Sequence, residues 1–205
     1  MSGSSLVSSV KAGFQLAVGA LPAVLGAGLL LGGCHERGAY ASARRTEALE
    51  EPPSGPSLLT SHALAQALGQ IESKAGPLGA LQALELVIHP DRVVLQAQDP
   101  KHPEVVQQFE YRAKKLTGPV KVKLQGPGKL EDNLFPIADA KLGAIPELAQ
   151  QALRKIDAER GKVRYVRVRR NLPVDMELRI RVFVSSPRRD GQVDADRNGR
   201  IVDQT

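Results

Sequence analysis

Four arginines near the end of the chain alternate with apolar residues: Arg167 and Arg169 after Val166, and Arg179 and Arg181 within Leu178–Val184. A period of two puts Leu178, Ile180, Val182 and Val184 on one face of a strand and Arg179, Arg181 and Phe183 on the other. In the preceding run Val163, Tyr165 and Val168 read as inward-facing, with a phase slip at Val166 that suits a bulge. Lys162, Arg164, Arg167 and Arg169 then face outward. Neighbouring strands so charged make a basic sheet face, on which like charges directly opposed cost a few tenths to about 1 kcal/mol per pair. An anionic partner relieves that repulsion, so the chemistry offered is anion binding by Arg167, Arg169, Arg179 and Arg181. The same pattern also suits a solvated face kept soluble by charge. On either reading Gln at these four positions is expected to leave the fold intact and, by removing like charges, to raise stability slightly.

Other reactive groups are dispersed. Asp194, Asp196, Asn198 and Gly199 match the first half of a calcium loop, but the twelfth position is Thr205, where a bidentate Glu belongs. Asp and Asn-Gly also make tight hairpin turns without metal. His35, His62, His89 and His102 pair with no other ligand at metal-binding spacing. No Gly-x-Ser-x-Gly elbow occurs, and Glu50-Glu51 and Glu131-Asp132 lie in polar stretches where solvation accounts for them. No convergent catalytic set, metal site or cofactor site is expected.

The chain's one cysteine is differently placed. Met1 to Lys11 is polar with one positive charge, Ala12 to Leu31 is uncharged, and Leu31-Gly32-Gly33-Cys34 follows. This is the three-part layout of an export signal with small residues at the cut. Leu31, Gly32, Gly33 and Cys34 resemble the lipobox of bacterial lipoproteins. The resemblance implies cleavage before Cys34, lipidation of that residue, and stable membrane attachment through more than one acyl chain. The uncharged run is also long enough for an uncleaved anchor, although Gly13, Gly19, Pro22, Gly26 and Gly28 weaken that helix. A lone cysteine outside the cytoplasm has no disulfide partner within the chain. His35, not Asp, follows the cysteine, which in lipoproteins of two-membrane bacteria implies the outer membrane, facing the periplasm.

Elements that position these groups follow the anchor. Residues 34–57, with Pro52-Pro53-Ser54-Gly55-Pro56, read as a tether reaching roughly 25 Å as a flexible coil. A first unit, 58–125, opens with a helix over about 62–75, capped by Thr60 or Ser61 and striped by Leu64, Ala67, Leu68 and Ile71. Strand-like runs follow at Leu84–His89, Val93–Gln98, Val105–Ala113 and Val120–Leu124. Residues 126–143 read as a connection whose Leu134-Phe135-Pro136 packs on the core. A second unit, 144–205, has a helix from Pro146 and strands at Val163–Arg169, Leu178–Val184, Gln192–Asp194 and Ile201-Val202. The expected class is α+β, two helix-plus-antiparallel-strand units related by an internal duplication with a period of about 80–85 residues. Arg181-Val182-Phe183-Val184, Gly191 to Asp196 and Asn198-Gly199-Arg200-Ile201-Val202 resemble the ending of PepSY domains, over residues 146–202 and more loosely 62–124. Those are small extracytoplasmic modules, and the resemblance implies a peptidase-inhibiting or chaperone-like role.

Composition bounds the rest. Only 3% of the 205 residues are aromatic and none is Trp, so aliphatic residues must build the core. A net charge of +6 permits attraction to anionic surfaces without requiring nucleic acid. The leading expectation is a lipid-anchored, non-catalytic envelope domain that binds an anionic partner; a PepSY-like module is second and an enzyme third.

Overall fold

The structure is a computed structural model that describes residues 57–125 and 128–205. The expected signal segment with Leu31, Gly32, Gly33 and Cys34, and most of the expected tether, lie outside the described residues.

Helix α1, Ser61–Ala75, begins where the Thr60 hydroxyl accepts from the Ala63 N–H at 3.4 Å. It ends at Gly76, whose φ of 98° suits a residue without Cβ. Four strands follow as a meander: β1 Gln82–Ile88, β2 Arg92–Asp99, β3 His102–Arg112 and β4 Lys115–Lys121. The connection holds a short helix α2, Leu130–Asn133, and a two-residue strand β5, Phe135–Pro136. Helix α3, Ile145–Ile156, has Pro146 in its first turn, where the missing N–H leaves no bond unmade. A second meander completes the chain: β6 Lys162–Arg170, β7 Leu178–Ser185, β8 Gly191–Ala195 and β9 Ile201–Gln204.

The mixed α+β class holds, but the two expected units are one sheet. Its order is β4-β3-β2-β1-β6-β7-β8-β9, with β5 paired to the start of β1. The seam is β1 against β6, antiparallel, with Leu86 opposite Val168 and Ile88 opposite Val166. Each meander would leave an open, apolar first strand, and pairing those two strands removes both edges.

Helices α1 and α3 lie on one face. Helix α1 packs on β2, β3 and β4, and α3 on β6, β7 and β8. They cover a single core that includes Leu64, Ala67 and Ile71 of α1, Ile145, Leu148 and Ala152 of α3, and the alternate strand residues Leu86, Ile88, Val93, Leu95, Val166, Val168, Ile180 and Val182. Phe135, 1% exposed, is the largest fully buried side chain among the described residues. The connection therefore does pack on the core, and through β5 it also joins the sheet, with Phe135 opposite Ala83. All of this core lies within residues 58–205, so the domain carries its own means of folding.

Two local expectations are corrected. The fourth strand starts at Lys115, after a tight turn at Ala113 and Lys114 with φ of 50° and 61°, rather than at Val120. It is an edge strand guarded by Pro119 and by Lys115 and Lys121, residues that oppose pairing with another chain. In β6 the irregularity falls between Val163 and Tyr165. Val166 is consequently buried, while Tyr165 turns to the open face and stacks on Phe183, with ring centroids 4.4 Å apart.

Candidate functional site

The face of the sheet opposite the helices carries the four arginines, as their alternation predicts. Arg167 lies directly opposite Arg181, and Arg169 opposite Arg179. Carboxylates from elsewhere in the chain answer these like-charge pairs. Arg181 donates from Nε and Nη2 to the two oxygens of Asp194, at 2.8 and 2.7 Å, the two-pronged geometry that suits a guanidinium best. That hydrogen bond, opposed by burial, holds the Arg181 pKa above its usual value. Arg181 also donates to Asn171 Oδ1 at 3.2 Å, and Gln192 Nε2 adds a 3.1 Å bond to Asp194. Arg179 meets Asp175 at 3.1 Å.

Arg167 approaches Glu85 Oε1 at 3.0 Å, close enough for strong attraction, but its Nε–H is not aligned to form a hydrogen bond. Its guanidinium carbon lies 5.5 Å from the centre of the Tyr165 ring and 5.8 Å from that of Phe183, within cation–π range. The face is thus an assembled network rather than a row of uncompensated charges, more neutral than the basic sheet face that the alternation alone implies. Four Gln residues are accordingly expected to cost stability rather than raise it, because Asp194 would keep its charge at 12% side-chain exposure without its partner.

Arg169 is the exception. It is 45% exposed, and its nearest carboxylate, the same Glu85 that Arg167 engages, is 3.9 Å away. It borders a cleft of about 190 Å³ lined by Leu84, Glu85, Gln96, Asn133, Arg169 and Arg170. The cleft forms where the sheet forks: the start of β1 pairs with β5, its end with β6. A register irregularity between Ala83 and Glu85 lies at the fork. Arg170 spans it, donating to the Leu134 carbonyl at 2.7 Å and the Met176 carbonyl at 2.6 Å.

The calcium-like segment is a hairpin turn. Asp196 Oδ1 accepts from the N–H groups of Asn198 and Arg200, each at 2.9 Å, while Arg181 holds Asp194. Among the described residues no group of His, Cys, Asp and Glu is arranged to hold a metal, and no helix is long and apolar enough to cross a membrane. Glu85, Gln96 and Asn133 carry no local sequence motif and become neighbours only through the seam and the fork.

Comparison of the chain with protein-family models, with curated proteins and with solved structures returned no match.

Proposed function

We propose that this is a lipid-anchored, non-catalytic binding protein of the cell envelope, attached through Cys34 and taking an anionic group of its partner at Arg169. The observation that carries the binding half is the fork cleft, where one guanidinium stands exposed beside a carboxylate already shared with Arg167. Arg170, Gln96 and Asn133 line the same cleft but already donate to the Leu134 and Met176 carbonyls, to Gln108 and to the Lys129 carbonyl, so the exposed charge of Arg169 is what a carboxylate or phosphate would meet first. The anchoring half rests on Leu31, Gly32, Gly33 and Cys34 at the end of an uncharged segment, and His35 favours the outer membrane over the inner. Nucleic acid is not part of the reading.

Each half of the sheet is a helix followed by a four-strand meander, and the halves meet through their first strands. This correspondence supports an internal duplication of a PepSY-like unit, fused along β1 and β6.

Titration of the domain with inorganic phosphate and with acetate at low salt tests the site. The side-chain NMR signals of Arg169 should shift saturably, and Arg169→Gln should abolish the binding. Equal, unsaturable shifts at every exposed arginine would contradict a defined site.

A further inference from the structure

Charge is not spread evenly over this domain. In an antiparallel sheet alternate connections share an end, so the β1–β2 turn, the β3–β4 turn, the loop from α3 to β6 and the β7–β8 loop lie together. The segments 89–92, 112–115, 157–164 and 186–190 at that end hold nine Lys and Arg against four Asp and Glu. The rest of 57–205 holds fifteen against fourteen, so nearly all of the domain's excess positive charge sits at one end. Arg112, Lys114, Lys115, Arg160, Lys162 and Arg164 are all exposed there. Arg112 pairs with Asp91 at 2.9 Å and Arg188 with Glu159 at 3.3 Å. No described carboxylate forms an ion pair with Lys114, Lys115 or Lys162. The sequence reading placed the excess charge on the sheet face; pairing there and the loops here reverse that distribution.

Leu58, just before α1, also lies at this end. The Leu58 N–H donates to the Pro90 carbonyl in the β1–β2 turn at 2.8 Å. Cys34 precedes it by two dozen residues in sequence. A tether running from Cys34 would thus join the domain at its basic end, which favours presenting that end to a bilayer.

We propose that this basic end rests on an anionic lipid surface, an inference that builds on anchoring at Cys34 and fixes how the domain stands. The row of strands is about 35 Å wide at the usual strand spacing, so the end is a broad platform. Its loops carry little apolar surface, which makes the contact electrostatic and not insertional. The fork cleft, at the finish of β6 and the start of β1, then faces away from the membrane and opens to its ligand. Val174 and Met176, 80% and 52% exposed, lie in the β6–β7 loop at that same far end. Insertion through them would turn the domain over, so the two orientations are separable.

The test uses residues 35–205, without the lipid, on vesicles of phosphatidylcholine with and without phosphatidylglycerol. Binding should require phosphatidylglycerol and fall steeply with salt. Each basic residue near such a surface strengthens binding about fivefold, so Lys114→Gln/Lys115→Gln/Lys162→Gln should weaken it roughly a hundredfold. Lys101→Gln/Lys123→Gln/Lys141→Gln removes the same charge from the far end and should change it little. Equal loss in both triple variants, no binding by the parent protein, or loss caused instead by Val174→Gln/Met176→Gln would each overturn the proposal. Fatty-acid labelling of Cys34 in cells is read separately. Labelling without vesicle binding would defeat the platform and leave the anchor. Vesicle binding without labelling would defeat the anchor and leave the platform as a surface for lipid.

Discussion

Arg181 and Asp194 face each other across neighbouring strands β7 and β8 and make two hydrogen bonds, at 2.8 and 2.7 Å. This pair neutralises the middle of an apparently basic face. Both side chains are largely screened from water, at 24% and 12% exposure, so removing one partner leaves the other with a desolvation penalty unpaid. Arg181→Gln should therefore destabilise the domain by about 2 kcal/mol. Asp194→Asn should act similarly, and the double variant should cost less than the two added together. Urea denaturation of the four proteins checks this; strict additivity would mean that the pair contributes no coupling.

Acid should loosen two loops. The Asp157 carboxyl is held below its ordinary value of 3.8 by the Arg160 N–H, against burial, with help from Ser186, the Glu159 N–H and the Arg188 charge. At Asp175, burial is outweighed by hydrogen bonds from the Glu177 N–H, Asn171 and Arg179. A carboxyl whose pKa is lower folded than unfolded stabilises the fold above the unfolded value. That contribution is lost as pH falls through the folded one. Stability of the parent protein should thus be level above the ordinary carboxylate range and decline below it. Asp157→Asn should flatten part of that decline and be less stable than the parent at neutral pH. An unchanged slope in stability measured against pH would remove Asp157 from the account.

The turn after β8 gives a steric prediction. Gly199 has a φ of 82°, and a Cβ built there would lie 2.8 Å from the Ala144 Cβ. Gly199→Ala combines left-handed strain with a clash against the residue preceding α3, and should cost about 2 kcal/mol or more. Because Asp196 Oδ1 and both Asp194 oxygens are already engaged, added calcium should leave the thermal midpoint of the parent protein unmoved. A rise with calcium would mean that the turn opens to bind it.

Local pattern carried the strands and helices, and non-local pairing carried what the pattern could not. Alternation in Leu178–Val184 placed Ile180 and Val182 inside and Arg179 and Arg181 outside, because a strand's period fixes its faces whatever lies beyond it. The seam between Leu86 and Val168 has no such signature: the residues are distant in sequence, and an edge and a centre strand share the same apolar pattern. The irregularity before Tyr165 shifted one aromatic to the other face, since a single extra residue inverts the alternation. The charge of the site was misread for the same reason. Arginines were visible in their own strands, whereas Glu85 and Asp194 become their partners only once the sheet is assembled.

The placement of the protein in the cell has its own consequence. With His35 after Cys34, fractionation of a two-membrane host should recover it with outer-membrane markers, and Cys34→Ala should release it from that fraction. Recovery of the parent protein wholly with inner-membrane markers would overturn the sorting, though not the anchor.

The most direct measurement is metabolic labelling of the full chain with a radiolabelled fatty acid, followed by mass spectrometry of the mature N-terminus. Label should enter the parent protein, the mature chain should start at Cys34, and Cys34→Ala should take up none and keep its N-terminal segment. Label persisting in Cys34→Ala, or an unmodified N-terminus at any other residue, would contradict anchoring at Cys34.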